Sequence, residues 1–423
     1  MNIEEINATL LLEDGMCFRG VSCGMVGEAS GEICFNTSVV GYPEVISDPG
    51  CAGLIVVMTY PQIGNYGVAR ADLQHETLAL RGLVVRDISD EPSSFRSDIS
   101  LPELLVEQGV VAIKGVDTRA LTHHIRDHGA QRAIISTFDY DINSLMQKLQ
   151  AVGSIKSTNL VERVSTKKAY SYPNATQRSN GELDFILKPR MPVKHNIVIY
   201  DCGVTNRLLR DLHWSGCEIT VLPWNTPATE LLALKPDGVV VSGGPGDPEA
   251  VEETILSLRA LLGKVPLFGV CLGYQMLSLA AGAQISKQKF GHRGGNYPVL
   301  DLRNGLVEIT TQNHGFNLEF PSLGPLVPKM SGGIVEHPVD ENKEPSNDMR
   351  CWIKQGIAPV VENKECRHIQ LTHVNLNDGS PEGIAFLDIP ACGVQFYPEA
   401  TPGDDETHKL IEEFITMMDE NSI

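Results

Sequence analysis

The run FGVCLGYQ, residues 268–275, sets one cysteine, Cys271, between an apolar stretch that reads as a strand and a segment that reads as a helix. Gly269 and Gly273 lie two residues to either side of it. A small-x-nucleophile-x-small turn of this kind presents its central side chain at a sharp strand-to-helix bend. The helix N-terminus beside it favours the thiolate, which is the nucleophilic form of cysteine. One strand earlier, VVSGGPGDP at 240–248 is a glycine-rich strand end. Its glycines permit close backbone approach, and the N–H of Gly244 is a candidate donor to an oxygen that gains charge during acyl transfer. Taken singly, the cysteine also fits a buried structural thiol and the loop an ordinary turn. Their occurrence after successive strands favours thiol chemistry. A metal centre is not expected: Cys351, Cys366, His368 and His373 are spaced too irregularly for a zinc pattern.

The elements that must position these loops are legible from His195 onward. Apolar runs (HNIVIYDCG, EITVLPW, DGVVVSGG, VPLFGVC) alternate with helical segments (TNRLLRDLHWSG, PATELLALK, PEAVEETILSLRALLGK, LGYQMLSLAAG). Continuous apolar strands alternating with helices predict a parallel sheet buried on both faces. Ligands of such sheets bind beyond the carboxyl ends of the strands, where SGGPGDP and GVCLGYQ fall. Residues 8–70 read instead as short strands between Gly, Pro and Asp turns, and 100–150 as helices ending at glycines. The polar segment 166–184 suits a linker, and the Pro-, Gly- and charge-rich stretch at about 325–370 reads as an excursion from the second domain.

A chain of 423 residues is too long for one typical domain. Its formal charge of −19 argues against nucleic acid or an anionic membrane surface as the main partner. The N-terminus carries no basic stretch followed by an apolar run, and no apolar run reaches the ~18 residues of a membrane span. The ten cysteines are scattered without paired spacing, which predicts a reduced, cytoplasmic protein.

Five segments, SGGPGDP, GVCLGYQ, GHRGGNYPV, TQNHGF and VQFYPEA, occur in the order seen in class I (triad-type) glutamine amidotransferases, which residues ~195–400 resemble. GEICFNTSVVGYPEVISDPG, VVMTYPQIGNYGV and VAIKGVDTRALTHHIRDHGA look like the N-terminal domain of carbamoyl phosphate synthetase small subunits. The resemblance implies an α/β protein. Residues 1–165 would form the mixed β/α small-subunit domain, 166–194 a linker, and 195–423 a flavodoxin-like, doubly wound amidotransferase domain. It implies hydrolysis of glutamine to glutamate and ammonia for a large partner subunit that carries the ATP and metal sites, with no cofactor in this chain. Cys271 matches the nucleophile, and Gly244 and Leu272 the backbone donors of the oxyanion hole. Ser38, Gly246, Gln275, Asn313, Gly315 and Phe316 match positions that hold glutamine, and Glu399 the third triad member. The triad histidine position holds Tyr397. Imidazole titrates near ~6.5 and a phenol near ~10, so tyrosine is a poor base at neutral pH. Hydrolysis is expected to be impaired; the alternative is a weak or inactive glutamine-binding partner of an ammonia-using large subunit. His292, His314, His373 and His408 have no better claim to act as base.

Overall fold

The computed structural model describes residues 6–153, 156–173, 191–337, 348–400 and 408–421. Most of the expected linker, at 174–190, and the centre of the expected excursion, at 338–347, lie outside the described residues, as does the side chain of His408. The chain forms two compact units. The first comprises Met1–Val164 with Pro245–Asp247 and Lys289–Gly294; the second comprises Ser165–Gly244, Pro248–Gln288 and Gly295–Ile423.

In the first unit seven strands close into a barrel: β1 (Asn7–Leu12), β2 (Cys17–Ser22), β3 (Glu28–Asn36), β4 (Leu54–Met58), β5 (Gly82–Val84), β6 (Val111–Lys114) and β7 (Gln131–Ser136), in the order β1-β2-β6-β5-β4-β3-β7. Closure leaves none of these strands as an open edge. Leu10, Leu12, Ile33, Ile55, Val57, Val84, Ile113 and Ile135 point into one shared core, as period-2 alternation requires. Helix Thr118–His128 closes on it through Leu121 and Ile125. Asp117 caps that helix by accepting from the Ala120 N–H at 2.9 Å.

The second unit is built on an 11-stranded mixed sheet of the described residues. Its strands are β8 (Tyr170–Tyr172), β9 (His195–Asp201), β10 (Cys217–Pro223), β11 (Gly238–Val241), β12 (Leu267–Val270), β13 (Gln284–Asp301), β14 (Val307–Glu319), β15 (Val360–Asn363), β16 (Arg367–Asn375), β17 (Pro381–Phe386) and β18 (Ala391–Val394). The order is β8-β10-β9-β11-β12-β18-β17-β16-β13-β14, with β15 paired to β16. The strands β10, β9, β11, β12 and β18 run parallel, as their continuous apolar sequences predict. β18 is the exception to chain order. It returns from the antiparallel arm and sets Val394 opposite Val270, so that the residues after both strands emerge side by side. Helix His408–Glu420 packs beneath through Ile411, Phe414 and Met418, and Phe414 stacks on Phe268 at 5.5 Å.

The described parts of the stretch expected to leave this domain are folded into it. Trp352 on helix Arg350–Gln355 is fully buried, and β15 pairs Val361 with Ile369. Its Pro and Gly content marks the turns of this edge, while Trp352, Val360 and Val361 supply the apolar anchors that periodicity over so short a run does not reveal.

Candidate active site

Gly244, Cys271, and Gln395, Tyr397 and Glu399 follow the carboxyl ends of β11, β12 and β18, and Thr205 that of β9. Cys271 follows β12 directly and precedes helix Leu272–Ala280. Its backbone sits at φ 52°, ψ −106°, a region that costs a residue with a Cβ about 1–3 kcal/mol. Two features hold it there. The Cys271 N–H donates to the Val394 carbonyl at 2.8 Å, and the Cys271 carbonyl accepts the first helical bond from Gln275 N–H at 3.1 Å. The flanking glycines are sterically required: a Cβ on Gly269 would lie 2.8 Å from the Gly273 carbonyl carbon, and one on Gly273 would strike the Val241 carbonyl. The small-x-nucleophile-x-small reading of the sequence therefore has a packing cause.

The Cys271 sulfur is buried, 3.8 Å from the Asn313 carbonyl and 3.6 Å from the side-chain nitrogen of Gln395. Gly244, beyond β11, is pressed so closely on the Cys202 carbonyl that a Cβ would collide with it, and the Leu272 side chain lies against the same face. Tyr397 is buried in the same apolar cluster as Cys271. Its backbone N–H donates to the Thr311 carbonyl at 3.0 Å, and its ring passes Gly243, where a Cβ would be 3.0 Å from Tyr397 Cε1 and 3.6 Å from Cys271 Cβ. Glu399 is buried, and its Oε1 accepts from the Thr205 hydroxyl at 2.8 Å. That hydroxyl also caps helix Asn206–Trp214 by accepting from Leu208 N–H at 3.2 Å.

Gln275 is buried, and both hydrogens of its Nε2 are spent within the protein, on the Phe316 carbonyl at 2.8 Å and on Gln395 Oε1 at 3.0 Å. A ligand can therefore engage this side chain only through Oε1. Asn313, Gly315 and Phe316 follow one another along β14 beside Cys271. Ser38 and Gly246 belong to the first unit: Ser38 N–H donates to Asn36 Oδ1 at 2.9 Å, and Gly246, at φ +87°, lies on the Leu160 side chain.

Two of the histidines weighed as substitute bases are accounted for within the second unit. His314 Nδ1 lies 2.9 Å from the Phe316 carbonyl and its Nε2 3.0 Å from Gln312 Oε1. Burial pushes His373 down to about 4, outweighing the nearby Asp301 carboxylate. His292 lies in the first unit. Burial likewise pushes the thiols of Cys23, Cys217 and Cys392 up to about 12, and that of Cys366 to about 11. Cys202, near Cys271, is raised well above an ordinary thiol for the same reason.

Residues 10–135 match the family model "Carbamoyl-phosphate synthase small chain, CPSase domain", and residues 198–326 and 333–417 match "Glutamine amidotransferase class-I". The carbamoyl phosphate synthase small chain of Syntrophotalea carbinolica is 40% identical over 98% of this chain and 99% of its own length. The chain belongs to the carbamoyl phosphate synthase small chain family. Other family members from Thermotoga maritima and Bacillus caldolyticus are 41% and 40% identical, over 98% and 97% of this chain and 98% and 96% of theirs. Within this family framework the expected fold stands, with a small-chain domain followed by an amidotransferase domain.

Two residues at the site escaped the sequence reading. Thr205 is visible only as a helix N-cap in VTNRLL, and nothing local says that its hydroxyl also holds Glu399, 194 positions away. Gln395 did leave a signal, a polar side chain in the otherwise apolar ACGVQF, but its partner on the sulfur is 124 positions distant.

Proposed function

We propose that this chain is the glutamine-using small subunit of a carbamoyl phosphate synthase, releasing ammonia for a cytoplasmic large subunit that binds ATP and metal ions. The observation that carries this reading is Cys271, forced into a strained turn at a helix N-terminus, its sulfur beside the Asn313 carbonyl and the Gln395 amide. The Cys271 thiolate attacks the side-chain carboxamide carbon of glutamine. The C–N bond breaks, ammonia leaves with an added proton, and a glutamyl thioester remains on sulfur. Water then cleaves the thioester, giving glutamate and the free thiol. The N–H groups of Gly244 and Leu272 serve the transient oxyanion, while Asn313, Gly315, Phe316 and Gln275 Oε1 hold the substrate.

Tyr397 sets the rate. A phenol can donate a proton to departing ammonia but accepts one poorly at neutral pH, and a positioned general acid–base is worth ~10²–10⁴ in rate. The site is thus a slow glutaminase. The same residue favours a second reading, a partner that binds glutamine without consuming it. Purified chain with its large subunit should make carbamoyl phosphate from glutamine, slowly, and faster from ammonium. Cys271→Ala should abolish the first and spare the second. Synthesis from ammonium alone in the natural protein, with no glutamate released, would establish the non-catalytic reading instead.

A further inference from the structure

The geometry points to Gln395 as the residue that stabilises the Cys271 thiolate, a role that rests on the reading of Cys271 as nucleophile. Gln395 is fully buried immediately after β18, with its backbone N–H donating to the Glu382 carbonyl at 2.8 Å. Which end of its carboxamide faces sulfur is decided by a chain of bonds. The Phe316 carbonyl can only accept, so the Gln275 atom 2.8 Å from it is Nε2. The other hydrogen of that Nε2 goes to Gln395 at 3.0 Å, so the atom there is Oε1. What remains toward Cys271 Sγ, at 3.6 Å, is the Gln395 Nε2–H donor.

The sulfur's second neighbour, the Asn313 carbonyl at 3.8 Å, suits a thiol S–H but offers nothing to an anion. The Gln395 donor gains when the proton leaves, because a hydrogen bond to a charged acceptor is roughly twice as strong as a neutral one. Titratable side chains on these elements include Tyr397 and Glu399 after β18, Cys392 on β18, Glu382 on β17, His314 on β14, Asp201 and Cys202 after β9, and Tyr274 on the helix, with His292 within 4.8 Å of His314 and Glu382. Burial holds Tyr274 and Cys202 far above their ordinary values, hence neutral, and His314 is committed at both nitrogens. Position 397 supplies a phenol in place of an imidazolium.

The test is the titration of Cys271 itself, read from the pH dependence of its alkylation by iodoacetamide, with the Cys271 peptide quantified by mass spectrometry. The natural protein should titrate below the ~8.5 of an ordinary thiol. Gln395→Met removes the donor and keeps the side-chain length. Gln395→Glu keeps an acceptor for Gln275 and turns a carboxylate toward sulfur. The first should raise the apparent pKa by about one unit, slowing labelling roughly tenfold at neutral pH, and the second should raise it further. Once the pH exceeds the highest of the three apparent pKa values, all three rates should converge. Unchanged titration in the variants, or slowing by the same factor at every pH, would overturn the assignment, the latter by showing a purely structural role. Should neither variant fold, a natural Cys271 that titrates at or above an ordinary thiol overturns it alone. A low, Gln395-dependent titration in a protein that never releases glutamate would sink the proposed function and leave this inference standing.

Discussion

Replacing Tyr397 by histidine should convert a slow site into a fast one, and the structure says how much each side of that change is worth. The backbone at 397 is pinned, its N–H on the Thr311 carbonyl at 3.0 Å and its carbonyl accepting from Ala400 N–H at 3.2 Å. An imidazole in the same rotamer follows the Tyr397 ring past Gly243, where a Cβ would stand 3.0 Å from Cε1 and 3.6 Å from Cys271 Cβ. Catalysis then requires its Nε2 to reach the sulfur and its Nδ1–H to donate to Glu399, which the Thr205 hydroxyl already anchors at 2.8 Å. The smaller ring leaves a void in a buried cluster, at a cost of ~1 kcal/mol of stability. The gain is a general acid–base worth ~10²–10⁴ in rate, or about 3–5 kcal/mol of barrier. Glutamate release, followed by a coupled dehydrogenase assay with the large subunit present, should rise by that factor, and Cys271→Ala should erase the gain. A natural protein that hydrolyses glutamine briskly, and a Tyr397→His variant slower than it, would mean that another residue is the base.

Thr205→Val, which severs the Glu399 bond and the helix cap together, should cost ~1–2 kcal/mol in thermal unfolding and blunt the rate restored by Tyr397→His. Gly244→Ala drives a Cβ into the Cys202 carbonyl, so the denaturation midpoint should fall by an amount equivalent to ~1–3 kcal/mol; an unchanged midpoint would show that the loop yields freely. His373 is held at about 4 in the fold against ~6.5 unfolded, so the unfolded chain takes up the proton first as pH falls. Its contribution is complete above pH ~6.5 and lost down to pH ~4, roughly 3 kcal/mol in all; His373→Gln should flatten that part of the stability profile measured by urea unfolding. Tagged protein should co-purify with a large synthase subunit from its native host, and recovery without such a chain would contradict the proposed partnership.

The parallel sheet was legible in the sequence, because strands buried on both faces must be continuously apolar, as IVIY and GVVV are. So was the tight turn at Cys271, since only glycine fits where Gly269 and Gly273 pack on neighbouring backbone, and that need is written into FGVCLGYQ itself. The edge formed by Trp352 and Val360–Asn363 was not legible, because a short helix and a four-residue strand within a charged, Pro-rich stretch carry too little periodicity to register. Nor could local pattern reveal which polar atoms meet at the sulfur. That is set by β18 returning from the antiparallel arm to pair in parallel with β12, which brings Gln395 and Tyr397 beside Cys271. It is set equally by the Thr205 cap at the end of β9, which reaches Glu399. A sequence specifies residue types and local periods by short-range sterics and burial. Contacts across more than a hundred positions exist only once strand order is chosen, and strand order is a property of the assembled sheet.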